Sequence, residues 1–407
     1  MPSCSAEILS QGDEVVTGQV VDTNAAWLAQ RLVNLGFEVA RHGAVPDRLE
    51  PMIEELRRIA ARSDVCISTG GLGPTVDDLT AEAVARAFDA PLALDAEALT
   101  QIEAFFADRG LPMPSVNRKQ ALLPAQAIRL DNRWGSAPGF ALRHERCWFV
   151  FLPGVPSEMT AMFDAFIEAE LRRRFQPRPS QLLVWRTVGL GESTLQQRLE
   201  PLDLPAEVHL GFRASVPENE VKLLFPHDFP RPQRDALAAR VTELLGEAVV
   251  SLGTGNQAGG TLAAVVGELL MGRGARLATL ETVSGGSLAW QCRERPWLIE
   301  SIIAHDIERV LEAPDPALAT EEQRAAYYAE RLRARCGADY ALINVGERQA
   351  TAEPGAKANG AYAAVASPGE TRVERITLSG TGERRLINAG ARTLDVLRRQ
   401  LLAKPQR

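Results

Sequence analysis

Apolar positions in the first part of the chain fall into short blocks with alternating spacing. Residues 6–10 (AEILS) form a brief apolar run that stops at Gly12-Asp13-Glu14. From about Asn24 the pattern changes: Trp27, Leu28, Leu32 and Leu35 share one helical face, and Gly36 is a natural stop. Phe37 to Val45 is strand-like, and Leu49, Ile53, Leu56 and Ile59 then return at helical spacing. Residues 64–68 (DVCIS) are a short strand that runs into STGGLGPTVDDLT (68–80), and Asp78 to Phe88 is again helical. Trp148 to Leu152 is a further strand, ending at Pro153-Gly154-Val155-Pro156-Ser157-Glu158, and Met159 to Phe175 reads as helix. Strands alternating with helices predict a parallel sheet covered on both faces. Ligands of such sheets bind beyond the carboxyl ends of the strands. Three glycine-containing loops are expected at such ends.

The pattern breaks at QPRPS (176–180). Residues 181–250 read as a small α+β module, 251–260 as a flexible linker, and 261–407 as a mixed α/β segment beginning with an amphipathic helix over 261–274. The expected organisation is therefore 1–175, 176–250, linker 251–260, and 261–407.

Composition narrows the function. A net charge of −7, with 45 basic residues and no long basic run, disfavours a nucleic-acid surface. Five cysteines (Cys4, Cys66, Cys147, Cys292, Cys336) show no CxxC spacing and read as reduced thiols. With no apolar segment of membrane-spanning length and no signal-like start, a cytoplasmic protein without a membrane partner is expected.

The candidate chemistry lies in the loops. Thr69-Gly70-Gly71-Leu72-Gly73 can turn tightly and bring backbone N–H groups to an anion, aided by the start of the next helix. Taken alone, such a loop is an ordinary strand-to-helix turn with Asp77 or Asp78 as cap. The carboxylates shift the balance. Asp13, Glu14, Asp77 and Asp78 all follow strands, and carboxylates beside phosphate make sense where a divalent cation bridges them. Residues 115–120 (SVNRKQ) read equally as a solvated helix surface, and 135–140 (GSAPGF) as a hairpin connection or a close approach to ligand.

GDEVVTGQVVDTN (12–24), STGGLGPTVDDLT (68–80), NRKQALLP (117–124), GSAPGF (135–140) and FLPGVPSEM (151–159) together resemble the CinA family, in order and in spacing. The first domain resembles the molybdopterin-binding domain of molybdenum-cofactor biosynthesis proteins. The fold this implies is α/β: a doubly wound N-terminal domain, a small α+β module and an α/β C-terminal CinA-type domain. The resemblance implies metal-dependent cleavage of the ADP-ribose pyrophosphate (Mg, Mn or Co), pyridine-nucleotide salvage and a homodimer. By motif, it assigns Thr69, Gly70, Gly71, Gly73, Thr80, Asn24, Asn117, Lys119, Gly139 and Glu158 to substrate. Asp78, Asp77 and Glu14 become catalytic candidates, and Asp13 and Asp78 metal candidates. A nucleotide- or pterin-binding protein without turnover, and a molybdenum-cofactor biosynthesis protein, are the alternatives.

The C-terminal segment departs from the family's nicotinamide mononucleotide deamidase pattern. Thr282 stands where the family's nucleophilic serine is expected, with Ser284 two residues on. The region around His305 lacks the family's lysine base, and the glycine-rich motif near Asn344-Val345-Gly346-Glu347 is degraded. The expectation is a domain that has lost deamidase activity and persists for packing.

Overall fold

A computed structural model describes residues 4–255, 259–293, 296–315, 318, 320–346 and 360–403. The chain divides into two compact units, 1–180 and 181–407.

In the first unit, β1 (Ser5–Gln11), α1 (Asp13–Val16), α2 (Thr23–Leu35), β2 (Glu38–Val45), α3 (Leu49–Arg62), β3 (Val65–Thr69) and α4 (Thr80–Ala87) follow one another. The chain continues through β4 (Leu92–Leu94), α5 (Ala96–Ala107), β5 (Leu122–Pro124), β6 (Ile128–Leu130), β7 (Gly139–His144), β8 (Cys147–Leu152), α6 (Pro156–Met162) and α7 (Glu168–Phe175). The main sheet has six strands in the order β2-β1-β3-β8-β7-β6. The first four are parallel, while β7 runs antiparallel to both its neighbours, β8 and β6, so the expected parallel sheet is in fact mixed. Short connections explain the difference: only Glu145 and Arg146 separate β7 from β8, which leaves no room for a crossover helix.

Both faces are covered, and every residue of β3 and β8 is buried. Leu28, Leu32 and Leu35 of α2 pack with Ile8, Ile67, Val150 and Met159 on one side. Met52, Leu56 and Ile59 of α3 pack with Leu9, Cys66 and Phe149 on the other. The α2 boundaries follow local chemistry: the Asp22 side chain accepts from Ala25 N–H, and Gly36, left-handed at φ 102°, ends the helix. Below the sheet edge, Glu7 is buried and receives Arg62 Nε at 2.6 Å and Nη2 at 2.5 Å, with Ser63 Oγ.

The second unit opens with β9 (Gln181–Val188), α8 (Glu192–Leu199), β10 (His209–Arg213), β11 (Glu218–Phe225), α9 (Arg231–Leu245) and β12 (Val249–Thr254). These make a four-stranded antiparallel sheet, β10-β11-β9-β12, around Trp185, Val221, Leu223 and Val241. Residues 251–254, expected as linker, are therefore strand. Their backbone pairs with Leu183 to Arg186, a long-range ladder that the local Gly-rich composition does not reveal. Then come α10 (Leu262–Met271), β13 (Leu277–Glu281), α11 (Ser287–Gln291), β14 (Leu298–Ile303), α12 (Glu321–Cys336), β15 (Tyr340–Gly346), β16 (Gly360–Ser367), β17 (Glu370–Thr377) and α13 (Gly382–Leu402). Their sheet is ordered β14-β13-β15-β16-β17, parallel over its first three strands. No described helix is long and apolar enough to cross a membrane.

Candidate functional site

The chain leaves β1 toward β2 on one side and β3 on the other, and this switch point opens a crevice at the carboxyl edge. Parallel register brings the strand ends level: Gln11 pairs with Val45, Ser10 with Thr69, and Thr69 with Leu152. Four loops therefore emerge together and enclose a cleft of about 410 Å³. Glu14, Gly70, Gly71, Gly73, Asp77, Asp78 and Glu158 line it. These seven expected residues come from loops up to 144 positions apart in the sequence (158 minus 14), brought together by the sheet alone.

The glycine loop is pinned from beneath. Gly70 N–H donates to Leu152 O at 3.1 Å, Thr80 N–H to Gly71 O at 3.2 Å, and Thr80 Oγ1 to Gly70 O at 2.9 Å. Gly71 sits at φ 64°, and a Cβ there would lie 2.2 Å from the Gln11 amide, so only glycine fits. Asp78 fixes the far side of the loop: its Oδ2 accepts from Thr75 N–H at 2.8 Å and from the Thr75 hydroxyl. That hydroxyl has one proton, and the geometry directs it to Asp78. Its proximity, with the Asp77 backbone N–H, also holds the exposed Asp77 carboxyl below the usual carboxylate value.

Around this loop, Glu158 Oε2 accepts from Asn132 Nδ2 at 2.7 Å. Asp13 stands at the rim rather than in the lining; its N–H donates to Asp47 Oδ2 at 3.0 Å. Asp47, which does line the cleft, also accepts from Gln11 Nε2 at 3.0 Å.

Several expected substrate contacts make bonds or packing contacts within the protein. Lys119 donates to Thr75 O at 2.6 Å and borders a smaller adjoining pocket, not the cleft itself. Asn117 is buried and donates to Gln120 Oε1 at 2.9 Å, and Gln120 Nε2 donates to Leu72 O at 3.3 Å, so these amides tie the 115–121 turn to the glycine loop while Ser115, Val116 and Arg118 stay exposed. Thr69 is buried at the end of β3, and Thr80 is buried beneath the loop. Asn24 donates to Gly154 O at 2.8 Å and positions that loop from behind. Gly139 is glycine for packing: a Cβ would lie 2.6 Å from Phe151 O. None of these six lines the cleft.

Sequence reasoning passed over Gln11, Asp47 and Gln120, all in the lining, and Asn132, which orients Glu158. Asp47 had a usable signal, because Pro46-Asp47 directly follows β2 just as Gly12-Asp13-Glu14 follows β1. Gln120 lies inside the 117–124 motif, which gives no sign that its amide faces the cleft, and Asn132 had no signal, since its partner Glu158 is distant in sequence.

All donors in the cleft are oxygens, the set preferred by hard divalent cations. No group of three or more His, Cys, Asp or Glu among the described residues is gathered tightly enough to hold a metal. A magnesium-like ion would therefore rest on one or two carboxylates and draw further oxygens from a bound phosphate. The five cysteines are all free thiols. Burial pushes Cys66 and Cys147 far up, and Cys336 to about 12, which removes thiolate character.

At the corresponding strand ends of the second unit, the polar groups consume one another. Glu281 is fully buried; its Oε2 accepts from Ser284 Oγ at 2.6 Å and Leu288 N–H at 3.0 Å, and its Oε1 from Ala289 N–H at 2.8 Å. Asn344 donates to Ser284 Oγ at 2.7 Å and accepts from the N–H groups of Thr282 and Val283 at 3.0 and 3.1 Å. Ser284 is wholly buried, and the Thr282 hydroxyl donates to Asn344 O at 3.0 Å. His305 is exposed. Glu347, in the degraded glycine motif, lies outside the described residues.

Comparison with known proteins gives the chain its relatives. A family profile described as "Probable molybdopterin binding domain" matches residues 7–173. An "NMN amidohydrolase-like protein YfaY" from Escherichia coli (strain K12) is 41% identical over 286 residues, 70% of each chain. A "CinA-like protein" from Shigella flexneri matches to the same extent. Among solved structures, the CinA protein of Thermoplasma acidophilum is 32% identical, covering 41% of this chain and 98% of that one at a TM-score of 0.39.

Proposed function

Because this chain belongs to the CinA-like family, we propose that its first unit hydrolyses the pyrophosphate of ADP-ribose or a related nucleotide with a divalent cation. One observation carries the reading: a glycine backbone cradle and the carboxylates Glu14, Asp77, Asp78 and Glu158 share a single cleft. The N–H groups of Gly71 and Gly73 bind the phosphates, in a loop held in place by the Thr80 bonds and by the Gly70 N–H bond to Leu152 O. Asp78 and Glu14 would hold the cation, with Asp13 at the rim. When bound, such a cation supplies positive charge against the pyrophosphate and makes water more acidic. Asp77, exposed in the cleft lining, accepts a proton from the attacking water. Glu158, oriented by Asn132, directs the remainder of the substrate. Together these supply charge neutralisation and positioning, the two requirements of phosphoryl chemistry.

Release of AMP from ADP-ribose by the full chain with magnesium, manganese or cobalt is the test. Binding of the nucleotide with no AMP under any of the three ions would leave the second reading, a nucleotide- or pterin-binding protein without turnover. That reading draws on the family description matched over residues 7–173.

The relative named as NMN amidohydrolase-like raises the same activity for the second unit. Our reading is that this unit does not deamidate nicotinamide mononucleotide. The burial of Ser284 and the commitment of the Thr282 hydroxyl to a backbone carbonyl support this. A cytoplasmic homodimer completes the proposal, and a monomer in light scattering at micromolar concentration would count against it.

A further inference from the structure

A second cavity, of about 420 Å³, lies within the second unit and has no part in the reading above. Its walls are the turn after β9, the 215–217 turn, and the first turns of α13. Arg384 and Arg392 both line it, and no Asp or Glu does. Neither arginine forms an ion pair among the described residues; Arg392 donates to Gly189 O at 2.8 Å. In a chain of net charge −7, an unneutralised cationic pair in a ligand-sized cavity is the notable feature.

The turn is built to let that arginine in. Gly189 has φ 81°, and a Cβ there would lie 2.3 Å from Arg392 Nη1, so any side chain would expel the guanidinium. Asn219 holds the facing walls in place, donating to Leu190 O at 2.7 Å and accepting from Ser215 N–H at 3.0 Å. Ser379 and Asn388 add a hydroxyl and an amide. The starts of α8, at Gly191, and of α13 both adjoin the cavity, and neither has a side-chain cap.

The cavity also lies apart from the degenerate strand-end site. Arg384, Asn388 and Arg392 recur every four residues on one face of α13, whereas Ile387 and Gly390, on another face, meet α11. We propose that this cavity binds a small phosphate-bearing anion, with Arg384 and Arg392 pairing its phosphate oxygens.

Hydrogen exchange of the full chain with inorganic pyrophosphate, without metal, tests this directly. The expected result is slowed exchange in peptides covering 189–192, 215–219 and 379–392. That protection should be lost in Arg384→Glu and, independently, in Ser379→Asp; both positions are exposed, so the fold tolerates them. No protection in these peptides overturns the proposal, as does equal protection in both variants. Protection confined to residues 68–80 also overturns it, because it places the anion in the first unit alone.

Discussion

The cleft of the first unit and the strand-end site of the second are made from similar parts and end in opposite states. Each gathers carboxylate, hydroxyl and amide groups at the carboxyl edge of parallel strands. In the first, Asp77, Asp78, Glu14 and Glu158 face a void of about 410 Å³. In the second, Glu281, Ser284 and Asn344 are fully buried and satisfied by each other. A buried polar network in which every member is paired rigidifies a core and offers nothing to a substrate. What separates a reactive cluster from a structural one is therefore whether its lone pairs and protons remain available. The first unit contains both kinds: Glu7, enclosed by Arg62 and Ser63, is its counterpart of Glu281.

The comparison can be broken most easily at Asp78. Asp78→Ala is expected to lower metal-dependent AMP release from ADP-ribose by about a hundredfold or more, as for a lost acid–base or charge-stabilising group. Near-wild-type turnover in that variant would show that the cleft carboxylates are not its chemistry. Its melting temperature should change little, since Asp78 lies at an open cleft.

Glu281→Ala should do the reverse, costing stability and no turnover. It strands Ser284 Oγ and the N–H groups of Leu288 and Ala289, at about 1–3 kcal/mol for each buried unpaired group. A loss of about 3 kcal/mol or more in denaturant unfolding is expected. An unchanged midpoint would mean the network is not structural.

Glu7 sharpens the contrast through pH. Burial alone would raise its carboxyl, but the bonds from Arg62 and Ser63 outweigh burial and hold it below the ordinary value. A depressed folded value means the contribution is present above the unfolded value of about 4.3 and is lost as pH falls through the folded one. Glu7→Gln should therefore flatten the acid limb of the first unit's stability profile, and an acid limb identical to wild type would exclude this role.

The smallest expected effect is none. Ammonia release from nicotinamide mononucleotide should be at background in the wild type and equal in a Thr282→Ala, Ser284→Ala control. A wild-type rate clearly above that control would restore the second unit as a deamidase.

Much of this was legible in the chain. Helical spacing at Leu28, Leu32 and Leu35, and the apolar strands ending in Gly70 and Gly154, located the first sheet and its open edge. Gly70, Gly71, Gly73, Asp77 and Asp78 are local features of the loop, Glu158 comes from the family motif, and all six line the cleft. Lys119, Asn117 and Gly139 were read by motif as substrate contacts and turn out to serve the loop and the sheet. A motif shows that a residue type is needed, not whether a ligand or the protein needs it.

The sequence by itself determined which segments become strand and helix, where the breaks fall, and which loops carry glycines and acidic groups. Those properties depend on near neighbours: apolar period, glycine backbone freedom and capping. Only tertiary structure decided that Asp47 and Gln120 join the cleft, that residues 251–254 are strand, and that Ser284 is sealed while Asp78 is open. Solvent access and hydrogen-bond satisfaction are set by partners brought from elsewhere in the chain, as Asn344 is to Ser284, and no local pattern encodes that meeting.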